Sequence, residues 1–203
     1  MSDSARTYWD SQAPTFDDEP DHGLLQPELW LAWRDLLLQH LPPAPADVVD
    51  LGCGTGTLSV LLAQSGYRVR GLDFADAMVA AATEKAMAAK VAATFRQGDA
   101  SEPPYKPGSC DVVVSRHVLW AMPDPSDALR RWVNLLRPDG RLVLIEGHWS
   151  TGAGISASDC ERLVREQRES VQVQHLDEES LWGRPINDER YLIVSHGSSA
   201  GDV

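Results

Sequence analysis

The run Val48-Val49-Asp50-Leu51, followed by Gly52-Cys53-Gly54-Thr55-Gly56-Thr57, constrains this chain more than any other stretch. A short apolar run around one acid fits a buried strand. Three glycines at every second position then permit a tight turn and let the backbone come close to a ligand. Behind them Leu58, Leu61, Leu62 and Ser65 keep helical spacing as far as Gly66, a helix-stopping residue. Strand, glycine turn and helix is the place where an open α/β sheet binds a ligand, outside the carboxyl ends of its strands. The dinucleotide fingerprint G-x-G-x-x-G/A fits at Gly52 and Gly54 but fails at Thr57. Asp50, just before the turn, would repel a pyrophosphate and suits a ligand with an ammonium or sulfonium centre. Taken alone, the stretch also reads as a glycine turn that only packs helix on strand.

Further strands follow in order. Residues 67–73 read as a second strand ending in Asp73, about 20 residues past the first glycine, where an acid reaches a ribose hydroxyl pair. Asp73 could instead cap the alanine-rich helix 76–90, although Asp76 is placed to do so as well. A third strand, 93–97, ends in Gly98-Asp99-Ala100, and a fourth, 111–115, runs into Arg116 and His117. Residues 101–109, with three prolines, form a loop. A helix is expected over 126–136 with Ser126 as its N-cap, since Leu129, Trp132, Val133 and Leu136 share one face. Arg137–Gly140 is a turn, 141–146 strand five, 157–169 a helix, and 171–176 and 190–196 strands six and seven. Before the sheet, a helix from about Pro27 buries Leu29, Trp33 and Leu36, and Pro42–Pro45 ends it.

The stretches Val48–Thr57, Gly71–Met78, Gln97–Ala100, Asp111–Pro123 and Leu135–Glu146 together resemble a class I S-adenosylmethionine (SAM) dependent methyltransferase of the small-molecule type. The resemblance covers about residues 46–196. It implies a Rossmann-like α/β fold: a seven-stranded mixed sheet whose last strand is antiparallel, with helices on both faces and an N-terminal helical cap. One domain is expected, with 1–45 as the cap and 46–203 as the SAM-binding core. The resemblance places the turn of Gly52, Cys53, Gly54 and Gly56 under the methionine part of SAM, with Asp50 suited to its cationic groups. It gives Asp73 the ribose hydroxyls. Gly98, Asp99 and Ala100 face the adenine, with Phe74 and Met78 beside it. Ser115 and Arg116 touch the methionine end, Arg116 through the carboxylate. Tyr8, Trp9 and Phe16 lie in an opening segment that folds over the site in this family; docking of these aromatics on the core is the alternative, and both can hold.

Two bases are candidates near the methyl group. His117 follows strand four and His148 follows strand five, and histidine can act as a general base near neutral pH. Each could equally order its loop. Trp149 could stack on a flat acceptor. No base is required unless the acceptor is a hydroxyl or a protonated amine, because the thioether leaves readily. No (Asp/Asn)-Pro-Pro-(Tyr/Phe) motif follows strand four, which argues against the amide and nucleobase N-methyltransferases that carry one.

Composition narrows the partners. A net charge of −12 over 203 residues, without a Lys/Arg run, speaks against nucleic acid. Three well-separated cysteines suit a reducing, cytoplasmic setting, and nothing in the spacing suggests a metal site. No signal peptide or membrane span is read, and the last residues read as a frayed tail. The expectation is methyl transfer from SAM, with S-adenosylhomocysteine (SAH) as product, to the oxygen, nitrogen or carbon of a small molecule. The alternatives are a nicotinamide oxidoreductase on the same type of sheet, which Asp50, Thr57 and the lack of a Tyr-x-x-x-Lys pair weaken, and a SAM-binding partner subunit without catalysis.

Overall fold

The computed structural model describes residues 2–197; the expected frayed tail beyond Gly197 lies outside the described residues. Seven strands form one sheet in the order β3-β2-β1-β4-β5-β7-β6. They are β1 (Asp47–Leu51), β2 (Arg68–Asp73), β3 (Thr94–Gln97), β4 (Cys110–Arg116), β5 (Leu136–His148), β6 (Ser170–His175) and β7 (Glu189–His196). The first five are parallel, and β7 runs antiparallel between β5 and β6. This is the expected mixed Rossmann-like sheet. From β1 the chain winds outward through β2 and β3, then returns to β4 on the other side of β1. The carboxyl ends of β1 and β4 therefore flank a topological switch point, where open sheets bind ligands.

Successive residues of the central strands feed opposite faces, as a pleated strand requires. Val48, Val112, Val114, Val143 and Ile145 pack on one side with α3 (Pro27–His40) and α4 (Thr57–Gln64), through Trp33, Leu37, Leu58 and Leu62. Val49, Leu51, Val113, Leu142 and Leu144 pack on the other with α6 (Pro125–Asn134) and α7 (Ala157–Arg165), through Leu129, Trp132, Cys160 and Val164. The strands between these layers read as continuous apolar runs because both faces are covered. Near the base of the sheet, Arg137 bridges Asp47 of β1 at 2.9 Å and Asp111 of β4 at 2.7 Å.

Residues 2–26, polar in sequence, contain α1 (Asp3–Gln12), a single 3₁₀ turn (Phe16–Asp18) and α2 (Pro20–Gly23). With α3 they form the helical cap. Helix α5 (Asp76–Ala89) lies behind β2 and β3, and α8 (Glu179–Trp182) closes the segment between β6 and β7. There Trp182 meets Trp33 edge to face at 5.4 Å, and the Trp33 indole donates to the Leu181 carbonyl at 2.7 Å.

Local expectations shift in three places. The N-cap of α6 is Asp124, whose carboxylate accepts from the Asp127 amide, with Pro125 at the first turn; Ser126 is already inside the helix. Residues 137–140 do turn, but as an excursion inside β5: Leu136 pairs with Cys110 and the next pair is Arg141 with Val112. Helix α7 stops at Arg165, four residues before its expected end, and Ser156 caps its start. Among the described residues, no helix is long and apolar enough to cross a membrane, and no group of His, Cys, Asp and Glu is placed to hold a metal. The cysteines Cys53, Cys110 and Cys160 form no disulfide.

Candidate active site

A cavity of about 330 Å³ opens at the switch point. Its floor is the turn after β1. Gly52, Gly54 and Gly56 all adopt positive φ, which a side chain strongly disfavours. Gly52 and Gly54 line the cavity together with Cys53, whereas Gly56 does not. Gly56 starts α4, and a Cβ there would come within 2.7 Å of the Ala82 Cβ. It is the close-packing glycine between turn and α5 rather than a ligand contact.

Two buried acids face the cavity. Asp50 is 2% exposed and accepts a 2.6 Å hydrogen bond from the Ser59 hydroxyl. Burial raises its pKa to about 6, against the Ser59 bond that lowers it. Asp73 ends β2 and also lines the cavity. Its two oxygens accept from the amides of Gly54 at 2.9 Å and Ala75 at 3.0 Å. Burial raises its pKa as well, and these amides hold it back. Asp73 therefore ties the glycine turn to the start of α5 while its carboxylate borders the cavity. Phe74, Met78 and Ala100 continue this wall.

Arg116 and His117 leave β4 on the far side of the turn, and both line the cavity. Arg116 is enclosed: its guanidinium lies 5.3 Å from the Trp33 ring centroid and donates to the backbone carbonyls of Asp21 and His22. His117 has φ +60°, a left-handed conformation that costs a non-glycine residue about 1–2 kcal/mol. Its ring stands 5.2 Å from the Trp149 ring, and its buried Nδ1 has no hydrogen-bond partner within the chain. Burial, helped by the nearby charges of Arg116 and Arg190, pushes its pKa well below the usual histidine value. The ring is neutral at neutral pH and can accept a hydrogen bond, while its surroundings disfavour its protonation.

The N-terminal segment closes over this floor. Trp9, Phe16, Asp21 and His22 all line the cavity. Phe16 stacks on His22 at 4.2 Å and lies 3.3 Å from where a Gly54 Cβ would stand. Asp17 pairs with Lys85 of α5 at 2.7 Å and accepts from the Thr55 hydroxyl of the turn at 2.6 Å. Asp21 and His22 escaped the sequence reading, because the four-residue α2 carries no periodicity that points at a site.

Several expected site residues stand elsewhere. Tyr8 is exposed and packs on Trp9, away from the cavity. Ser115 is buried, its hydroxyl donating to the Leu51 carbonyl at 2.8 Å, so it joins β4 to β1. Gly98 lies against Leu72, and Asp99 accepts from the amide and hydroxyl of Ser101; neither lines the cavity. His148 is exposed at the end of β5, just past the consecutively buried residues 142–147, and does not line it either. Its neighbour Trp149 does reach the cavity, beside Trp120, whose ring lies 5.4 Å away.

Cationic, hydroxyl-bearing and flat groups all find partners here: two buried carboxylates, a glycine floor, and aromatic walls in one cavity. Residues 49–144 match the methyltransferase domain family. This stretch, just under half of the chain, is thus similar to a methyltransferase domain. Among curated relatives, the ubiquinone biosynthesis O-methyltransferase of Xanthomonas axonopodis pv. citri is 31% identical over 141 residues, 69% of this chain and 56% of that protein. The enzyme of the same name from Ralstonia nicotianae is 30% identical over 158 residues, 77% of this chain and 63% of that protein. The chain therefore spans only about three-fifths of the length of these relatives. Among solved structures, the [4+2]-cyclase SpnF superposes with a TM-score of 0.70 at 18% identity, covering 82% of this chain and 80% of that one. Geranyl diphosphate C-methyltransferase from Streptomyces coelicolor A3(2), solved with SAH, gives 0.69 at 18% identity, covering 82% and 78%. At such identities the likeness shows the fold, and one of the two is named for a cyclisation.

Proposed function

We propose that the chain transfers the methyl group of SAM to a small-molecule acceptor, with cap and core acting as one domain. The observation that carries this reading is the pair of buried acids, Asp50 and Asp73, bordering one cavity across a glycine turn. Asp50 binds the α-ammonium and Arg116 the carboxylate of the methionine part. Asp73 accepts from the ribose hydroxyls through the lone pairs that the Gly54 and Ala75 amides leave open. Gly52, Cys53 and Gly54 form the floor, while Phe74, Met78 and Ala100 hold the adenine. Trp9 and Phe16 exclude water from above.

When bound, the cofactor supplies a methyl carbon on a sulfonium, open to in-line displacement. The chain's contribution is chiefly positional, since an acceptor held in line gains a large effective concentration. The acceptor end is the side lined by His117, Trp120, Met122 and Trp149. His117 Nδ1, the buried nitrogen without a partner, accepts a hydrogen bond from an acceptor hydroxyl and orients it. The apolar rings around it favour an acceptor with a flat, uncharged body.

Calorimetric titration of the purified chain with SAH, with NADH as control, tests the reading. Binding of SAH and not NADH is expected. Binding of NADH alone overturns it and restores the oxidoreductase alternative. SAH binding without methylation of any acceptor until a second protein is added replaces it with a partner subunit.

A further inference from the structure

The turn that carries His117 is held almost entirely by the last residues of β5. The His117 amide donates to the Ile145 carbonyl at 2.8 Å. The next two amides, of Val118 and Leu119, both donate to one oxygen, Glu146 Oε1, at 3.0 and 2.7 Å. The His117 carbonyl accepts from the Trp120 indole at 3.0 Å. Glu146 is wholly buried, and its second oxygen has no partner in the chain. A buried carboxyl group carries a large desolvation cost, so a residue that only filled this space would be better as an apolar one. What Glu146 adds over an apolar residue is an acceptor for two consecutive amides next to a left-handed histidine.

The clamped segment touches both halves of the site. The Val118 side chain lies where a Cβ on Gly52 would stand, 2.3 Å from the Val118 Cγ2, so it packs directly on the glycine floor. His117, Val118 and Trp120 all line the cavity, whereas Glu146 does not. Its influence must therefore pass through the turn.

We propose that Glu146 is a positioning residue: by clamping the Val118 and Leu119 amides it holds His117 in its left-handed turn and sets the acceptor end of the cavity against the glycine floor. The inference rests on the proposed function only in calling that end the acceptor end. The clamp itself is a statement about the turn.

The test uses the full chain, labelled with ¹⁵N, and three variants. Glu146→Gln keeps a carbonyl oxygen at the same reach and can still accept both amides. Glu146→Ala removes the acceptor, and Glu146→Asp, one methylene shorter, draws it back with the carboxyl group retained. Three quantities are measured: hydrogen exchange at Val118 and Leu119 relative to Val113 and Val114 of β4, the imidazole ¹⁵N shifts of His117, and SAH affinity by calorimetry. In Glu146→Gln all three stay close to the parent, with affinity within about twofold. In Glu146→Ala and Glu146→Asp, exchange at 118 and 119 rises at least tenfold over the β4 amides, the His117 shifts move, and SAH affinity falls severalfold. If the Ala variant fails to fold, the Asp and Gln pair decides. Unchanged exchange or unchanged His117 shifts in Glu146→Asp, or a Gln variant as damaged as the Asp variant, overturns the proposal. Failure of the parent to bind SAH overturns the methyltransferase reading instead, and leaves exchange and His117 shifts to judge the clamp.

Discussion

The carboxylate of Asp10, in α1, accepts a 2.9 Å hydrogen bond from the backbone amide of Ala77, in the first turn of α5. Helix α5 has Ala75 at its N-cap, without a side-chain cap of its own, so Asp10 supplies from 67 residues away what Asp76 was expected to supply locally. The negative charge also complements the helix dipole. Asp10→Ala should lower stability by about 1 kcal/mol, the usual worth of a cap, and weaken SAH binding severalfold by loosening the segment that carries Trp9. Asp10→Asn, which retains an acceptor, should recover most of both. Thermal unfolding and calorimetry measure the two effects, and an Ala variant with parental values in each would show that the bond does not fasten α1.

Asp73 has more to hold than a ligand. The sequence suggests that Asp73→Ala should remove most cofactor affinity while leaving the fold intact. With two backbone amides bonded to its carboxylate, the variant should also lose stability, about 1–3 kcal/mol from amides left without an acceptor. Asp73→Asn keeps an acceptor for only one of the two amides, so it should lose less stability than Asp73→Ala while affinity falls as well. Denaturant titration with and without SAH distinguishes them.

Binding to Asp50 should move a proton. Its pKa near 6 in the free chain falls when an ammonium group settles beside it, because an opposite charge favours the carboxylate. Calorimetry at about pH 6 in two buffers of different ionisation enthalpy should therefore show release of part of a proton on SAH binding. Asp50→Asn should abolish that release and weaken binding. Proton uptake instead would remove Asp50 from the ammonium role.

Glu146 makes stability depend on pH in an uncommon direction. Burial raises its folded pKa from 4.5 to about 8. A carboxyl whose folded pKa is raised stabilises the chain most below the unfolded pKa, and that contribution is lost as pH rises through the folded one. Between about pH 7 and 9, above the ordinary histidine range, the chain should lose on the order of 1 kcal/mol or more through this group. Glu146→Gln has no proton to lose, so its denaturation midpoint should stay flatter over that range. Parallel slopes for parent and variant would assign the loss to other groups.

How much of this was legible beforehand follows from which forces act locally. The strands, the glycine turn and Asp50 and Asp73 at strand ends announce themselves by short-range pattern: apolar runs, punctuation by glycine, an acid where a strand stops. Arg116 and His117 were found the same way, as the first polar residues past an apolar strand. Residues whose role depends on which way a side chain leaves the sheet were not so readable. Ser115 and Arg116 are neighbours, yet one is spent on the Leu51 carbonyl and the other borders the cavity. His148 and Trp149 divide in the same fashion at the end of β5.

The sequence by itself determined the central strands, the glycine turn and the acids beside it, because a buried strand and a glycine turn are specified by a handful of adjacent residues. Only the tertiary structure decided that Asp17 latches the N-terminal segment to Thr55 and Lys85, and that Glu146 clamps the turn of His117. Those contacts join residues 27–68 positions apart, and their partners are backbone amides or side chains brought together by folding. Nothing in a local pattern marks a polar side chain for a partner that distant; burial, which removes water as the competing partner, makes the choice.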